Sequence, residues 1–186
     1  MYNVCKPMKK GGVGGNKTTA GLRFESRTGL LELLKNLKNY TVANNWVIFK
    51  GKRLGLVLRK SALYKFLAEK GINYLDSISS KLLPDDSIYL PQEKRFIVLE
   101  IKFQEVGGST DEKLQTCDYK LKQYKKLLSS LDPQLTVEYI YILNNWFKQV
   151  RYKDVLEYIS KIEGCSYYFN EVPLEKLGLP SSGVKE

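Results

Sequence analysis

Residues 95–104, RFIVLEIKFQ, constrain this chain more than any other segment. The run is almost continuously apolar and rich in β-branched and aromatic side chains, which predicts a central strand covered on both faces. Two charges interrupt it, Glu100 and Lys102. Residues two apart on a strand project to the same face, so Glu100 and Lys102 point together and Ile101 points away. Placing two charges on one covered face is costly unless they are paired or bind a metal. The bland alternative is a solvated salt bridge on an edge strand.

The surrounding pattern alternates strands and helices. Residues 85–90, DDSIYL, read as a strand entered by Pro84, and residues 91–94 as a turn. Residues 136–143, TVEYIYIL, read as a second buried strand, and residues 167–169 as an edge strand. Upstream, residues 21–40 predict one helix with Leu22, Leu30, Leu33, Leu34 and Leu37 on its apolar face. Strands are expected within 42–50, centred on Trp46–Phe49, and at 54–58. Ser61 is positioned to cap a helix through Glu69, with Gly71 as its stop. Residues 111–129 and 152–162 predict two further helices. These elements imply one α/β domain over residues 21–180, with a mixed central β-sheet flanked by helices. A flexible basic arm is expected over residues 1–20 and a frayed tail over 181–186.

Composition excludes several chemistries. The chain has no histidine, which rules out HNH-type nucleases, His-based phosphodiesterases and Ser–His triads. Catalysis must therefore run on carboxylates, lysine, hydroxyls or a metal. Cys5, Cys117 and Cys165 form no CxxC pair and predict reduced thiols, not a disulfide framework or zinc site. The string GGVGGNKT lacks the ending of a Walker P-loop. Thirty Lys and Arg against twenty Asp and Glu leave a charge of +10, which favours a polyanionic partner. No apolar run is long enough to cross a bilayer and the first ten residues have no apolar signal core, so a cytoplasmic protein with no membrane partner is expected.

Asp85 precedes Glu100 by fifteen positions, and a hairpin would bring the two carboxylates together. Converging carboxylates suggest a hard-cation site of the kind that takes Mg²⁺, with the Ile101 carbonyl as a further oxygen. Lys102 beside such an ion would orient or polarise the attacking water in metal-assisted phosphodiester hydrolysis. Asp86 is the rival ligand, and Pro-Asp-Asp is also a good turn sequence.

The pattern Pro84-Asp85 … Glu100-Ile101-Lys102 resembles the PD-(D/E)xK nuclease superfamily, which includes most type II restriction endonucleases. Glu25, in GLRFESRTGLLELL, looks like the acidic residue on the first core helix that often completes the site. Gln104 extends the motif to ExKxQ. The stretch FQEVGGSTDEKLQT resembles the strand–loop–helix after the catalytic lysine, which would put Ser109, Thr110 and Lys113 near the DNA backbone. Lys17 of the basic arm is a further phosphate contact in this reading. Capping by Ser109 or Thr110, and solvation of Lys113, Lys120, Lys122, Lys125 and Lys126, are the structural alternatives.

The resemblance implies a restriction-endonuclease-like fold, Mg²⁺ as cofactor, double-stranded DNA as substrate, and products with 5′-phosphate and 3′-hydroxyl ends. The compact size resembles the small catalytic subunit of a heterodimeric type IIS restriction endonuclease, which implies a larger sequence-recognising subunit as partner. A homodimeric restriction enzyme using a second copy, a repair nuclease or junction resolvase, and a non-catalytic nucleic-acid-binding subunit are the alternatives.

Overall fold

The computed structural model describes residues 19–107 and 110–183. Lys17 and Ser109 lie outside the described residues, and Thr110 is described by its backbone. Among the described residues one mixed sheet carries seven strands in sequence order. They are β1 (Tyr40–Ala43), β2 (Trp46–Phe49), β3 (Lys52–Val57), β4 (Asp86–Leu90), β5 (Arg95–Lys102), β6 (Thr136–Leu143) and β7 (Cys165–Phe169). Strands β1 to β5 pair antiparallel, whereas β6 pairs parallel to β5 and β7 parallel to β6. Parallel neighbours need a crossover. Helices α4 (Thr110–Lys113) and α5 (Cys117–Leu128) supply the first, and α6 (Lys153–Lys161) the second.

Alternation along β5 divides the interior into two cores. Phe96 and Val98 face one core, which also takes buried residues of α3 (Ala62–Glu69), α5 and α6. Ile97, Leu99 and Ile101 face the other, filled by Phe24 of α1 (Thr19–Thr28) and by Leu30 and Leu34 of α2 (Leu30–Lys35). Helices thus cover both faces of the sheet, and every residue of β5 after Arg95 is buried. The chain is a single α/β domain, as its alternating pattern predicts.

Some expectations change. The helix expected over residues 21–40 is two helices broken at Gly29, which is extended (φ −60°, ψ 131°), and Tyr40 opens β1 instead of closing a helix. The break is held from 56 residues away, because the Asp86 carboxylate accepts the Leu30 N–H at 3.0 Å. Leu22 does not join the apolar face: it is 55% exposed, and Phe24 is buried instead. The strand expected within 42–50, centred on Trp46–Phe49, is β2, and it pairs with β1 in a hairpin turned by Asn44 and Asn45 at φ 50° and 65°. Asparagine tolerates this left-handed conformation, and it suits tight hairpins. The helix expected over 111–129 is divided by a 3₁₀ turn at Leu114–Thr116. At the C-terminus, residues 182 and 183 bond to Lys38. Lys38 N–H donates to the Gly183 carbonyl at 2.6 Å, and the Ser182 hydroxyl donates to the Lys38 carbonyl.

Candidate active site

The β4–β5 register brings the candidate residues together. Asp86 lies opposite Leu99, so one further step sets Asp85 opposite Glu100 at the point where β4 begins and β5 ends. The Asp85 Oδ2 accepts the Ile101 N–H at 2.9 Å, which pins the carboxylate to the edge of β5. Alternation turns Glu100 and Lys102 to the face covered by α5. There the Lys102 ammonium donates to Glu100 Oε1 at 2.6 Å. Their side chains are 6% and 11% exposed, so this is an internal ion pair. A solvated salt bridge on an edge strand does not describe it, because β5 is flanked by β4 and β6.

Adjacent aspartates go to opposite faces. Asp86 is 1% exposed and faces α2, where Oδ2 caps Leu30 and Oδ1 lies 3.6 Å from Arg59 Nε. Asp85 is only partly buried and stands close enough to Glu100 for the two charges to interact. Geometry therefore separates a capping aspartate from one beside Glu100.

Glu25 stands close enough to Asp85 and Asp86 for its charge to raise both carboxyls. It makes ion pairs with Lys60 at 3.1 Å and Arg59 at 3.7 Å. Gln104 lies just past β5 and is held by the Asn144 side chain, which accepts the Gln104 N–H at 3.2 Å and donates to its carbonyl at 2.8 Å. The Lys113 side chain is exposed on α4, and the Lys113 carbonyl accepts the Tyr141 hydroxyl at 3.0 Å.

Sequence reasoning placed Lys120 on a basic helix, solvated or in contact with phosphate, and did not bring it to Glu100. From α5 its ammonium donates to the same Glu100 Oε1 at 2.9 Å. The signal was present in the period of the helix. Cys117, Leu121, Tyr124, Leu127 and Leu128 form the buried stripe of α5, and Lys120 falls within it by helical spacing. Tyr139 of β6 was missed. Its hydroxyl is buried close to Glu100, and its ring lies 5.9 Å from the Lys120 ammonium.

The carboxyls respond differently to this setting. Burial, then the nearby Glu100 charge, pushes Asp85 up from an ordinary 3.8 to about 6, against the pull of Lys102 and the Ile101 N–H. Burial likewise raises Asp86 to about 6, against Arg59 and the Leu30 N–H. Burial also opposes ionisation of Glu100, but Lys102 and Lys120 outweigh it and hold that carboxyl below its ordinary range.

These shifts set a pH dependence of stability. Folded Asp85 and Asp86 hold protons up to about 6, whereas unfolded they release them near 3.8. The native state therefore binds more protons across that window, and stability falls as pH rises through it. Glu100 acts in the opposite sense only below its ordinary 4.5. In EDTA, the urea midpoint is expected to be higher at pH 5 than at pH 7, by a stability difference on the order of 1–3 kcal/mol. An Asp85→Asn/Asp86→Asn double variant should lose most of this slope. A midpoint that drops between pH 7 and pH 5 would contradict the arrangement.

The donor set fits a hard divalent cation. Asp85 and Glu100 offer carboxylate oxygens from adjacent strands, and Mg²⁺ is commonly held by one or two carboxylates with waters completing its shell. The Glu100 charge also helps to raise Asp85, so the two carboxyls stand close enough for one cation to serve both. Among the described residues no group of three or more His, Cys, Asp or Glu is gathered for a metal, so any ion here would rest on two carboxylates. A separate cleft lined by Arg27, Leu30, Leu99, Ile142 and Val172 opens on the other face of the sheet and contains none of these residues. No protein-family model, no curated protein and no solved structure matches the chain.

Proposed function

We propose that this chain is a Mg²⁺-dependent DNA endonuclease with one active site, acting as the cleavage subunit of a type II restriction enzyme of the heterodimeric type IIS kind. The observation that carries the reading is the meeting of Asp85, Glu100 and Lys102 where β4 and β5 adjoin, with Lys102 Nζ 2.6 Å from Glu100. A positive charge of +10 suits a polyanionic substrate. No helix among the described residues is long and apolar enough to cross a membrane.

Asp85 and Glu100 would hold the cation. When bound, Mg²⁺ supplies Lewis acidity, lowering the pKa of its water and neutralising phosphate charge. Lys102 adds fixed positive charge beside Glu100, orienting the attacking water and offsetting charge that builds on the phosphoryl oxygens. Water oxygen bonds to phosphorus, the bond to the 3′ oxygen breaks, and that oxygen takes up a proton. The products carry a 5′-phosphate and a 3′-hydroxyl. A single centre cuts one strand, so double-strand cleavage calls on a second centre, from a larger sequence-reading subunit or a second copy.

Supercoiled plasmid incubated with the protein and Mg²⁺ is expected to accumulate open circles before linear molecules, and EDTA should stop the reaction. Metal-independent nicking, or folded protein that neither nicks plasmid nor binds duplex, would sink the proposal. A strong preference for branched over linear duplex would move it to a junction nuclease on the same site.

A further inference from the structure

We propose that Lys120 is the lysine of this centre that moves onto the scissile phosphate, while Lys102 stays behind as the internal counter-ion of Glu100; this rests on the nuclease reading above. Both ammoniums share one carboxylate oxygen, Glu100 Oε1, at 2.6 Å for Lys102 and 2.9 Å for Lys120. With two ammoniums on one oxygen, either can turn to another anion while the other stays on Glu100.

Exposure decides which of the two is free to leave. The Lys102 side chain is 6% exposed and that of Lys120 24%. Lys102 is fixed in the sheet opposite Leu143, two residues from Glu100. Pulling its ammonium away would leave a buried charge without a partner, which is strongly disfavoured. Lys120 starts nearer to solvent. Its backbone is anchored beside the centre by buried Cys117, Leu121 and Tyr124, while its four-carbon stem can swing.

One more observation points the same way. The charges of Asp85, Glu100, Lys102 and Lys120 sum to zero. A divalent cation on the carboxylates would compete with two ammoniums for Glu100, and the more exposed one is the cheaper to displace.

The test is fluorescence anisotropy of a labelled DNA duplex with the full chain across a salt series, using Ca²⁺ in place of Mg²⁺ to hold DNA without cleavage. Each phosphate contact contributes about 0.9 to the slope of log affinity against log salt. Lys120→Ala should lose about that much slope, Lys120→Arg should regain it, and Lys120→Ala should bind Ca²⁺ tighter than wild type. Lys161→Ala on α6, a 73% exposed lysine paired with Glu157, is the reference for removing a surface charge and should leave the slope as it was. If Lys120→Ala fails to fold, Lys120→Met keeps the stem and is read the same way. An unchanged slope with lower stability would mean that Lys120 only holds Glu100, and would overturn the proposal. A wild-type protein that nicks plasmid while Lys120→Ala matches it overturns this inference alone. A wild type that neither nicks nor binds duplex overturns the nuclease reading, and this inference falls with it.

Discussion

Glu100→Gln is expected to reduce Mg²⁺-dependent nicking by at least about a hundredfold to a thousandfold, the range found when one preorganised electrostatic group is removed from an active site. The same change should destabilise the fold. It neutralises the carboxylate that the Lys102 and Lys120 ammoniums share, and Lys102 is 6% exposed. Breaking a buried pair by removing one charge costs about 3–5 kcal/mol. Gln retains an oxygen that can accept a hydrogen bond, so the lower end of that range applies. A domain with the usual margin of about 5–15 kcal/mol should survive it. Urea denaturation and circular dichroism give the folded fraction, and nicking is then compared per folded molecule. A folded Glu100→Gln protein that cuts at the wild-type rate would remove Glu100 from the chemistry.

Two neighbouring aspartates should separate activity from stability. Asp85→Asn is expected to lower nicking by a factor of about 10²–10³, with stability at pH 7 unchanged or slightly raised. The reason is that Asp85 is already pushed up to about 6 by burial and by Glu100, so its charge is a burden on the folded state. An asparagine oxygen can still accept the Ile101 N–H that Asp85 now takes at 2.9 Å. Asp86→Ala should do the reverse. Losing the acceptor for Leu30 N–H uncaps α2, a change worth about 1 kcal/mol, while nicking per folded molecule stays near wild type. Swapped outcomes would make Asp86 the metal-facing residue and Asp85 the structural one.

Local rules account for much of what was legible in advance. Strand β6 runs over Thr136–Leu143, the span that TVEYIYIL predicts. The burial of β5 follows from its apolar run. Helix α3 closes before Gly71, whose φ of 76° suits a glycine stop, although Ser61 makes no side-chain cap bond. Failures occurred where a remote group intervened. Gly29 breaks the first helix beside the Asp86 cap, and Lys120 meets Glu100 from α5. Neither partner is visible in a local window.

The chain's order of residues determined by itself that Glu100 and Lys102 share a face, because side-chain direction on a strand alternates with a period of two and needs no partner to do so. It also set the basic charge and excluded histidine chemistry. Only the tertiary structure decided that Asp85 and not Asp86 stands beside Glu100, that Glu25 turns to Arg59 and Lys60, and that Lys120 reaches in from α5. Those outcomes depend on strand register and on how a helix packs across a sheet. Both are fixed by the burial of apolar surface over the whole domain, and contacts between residues far apart in the chain carry that information.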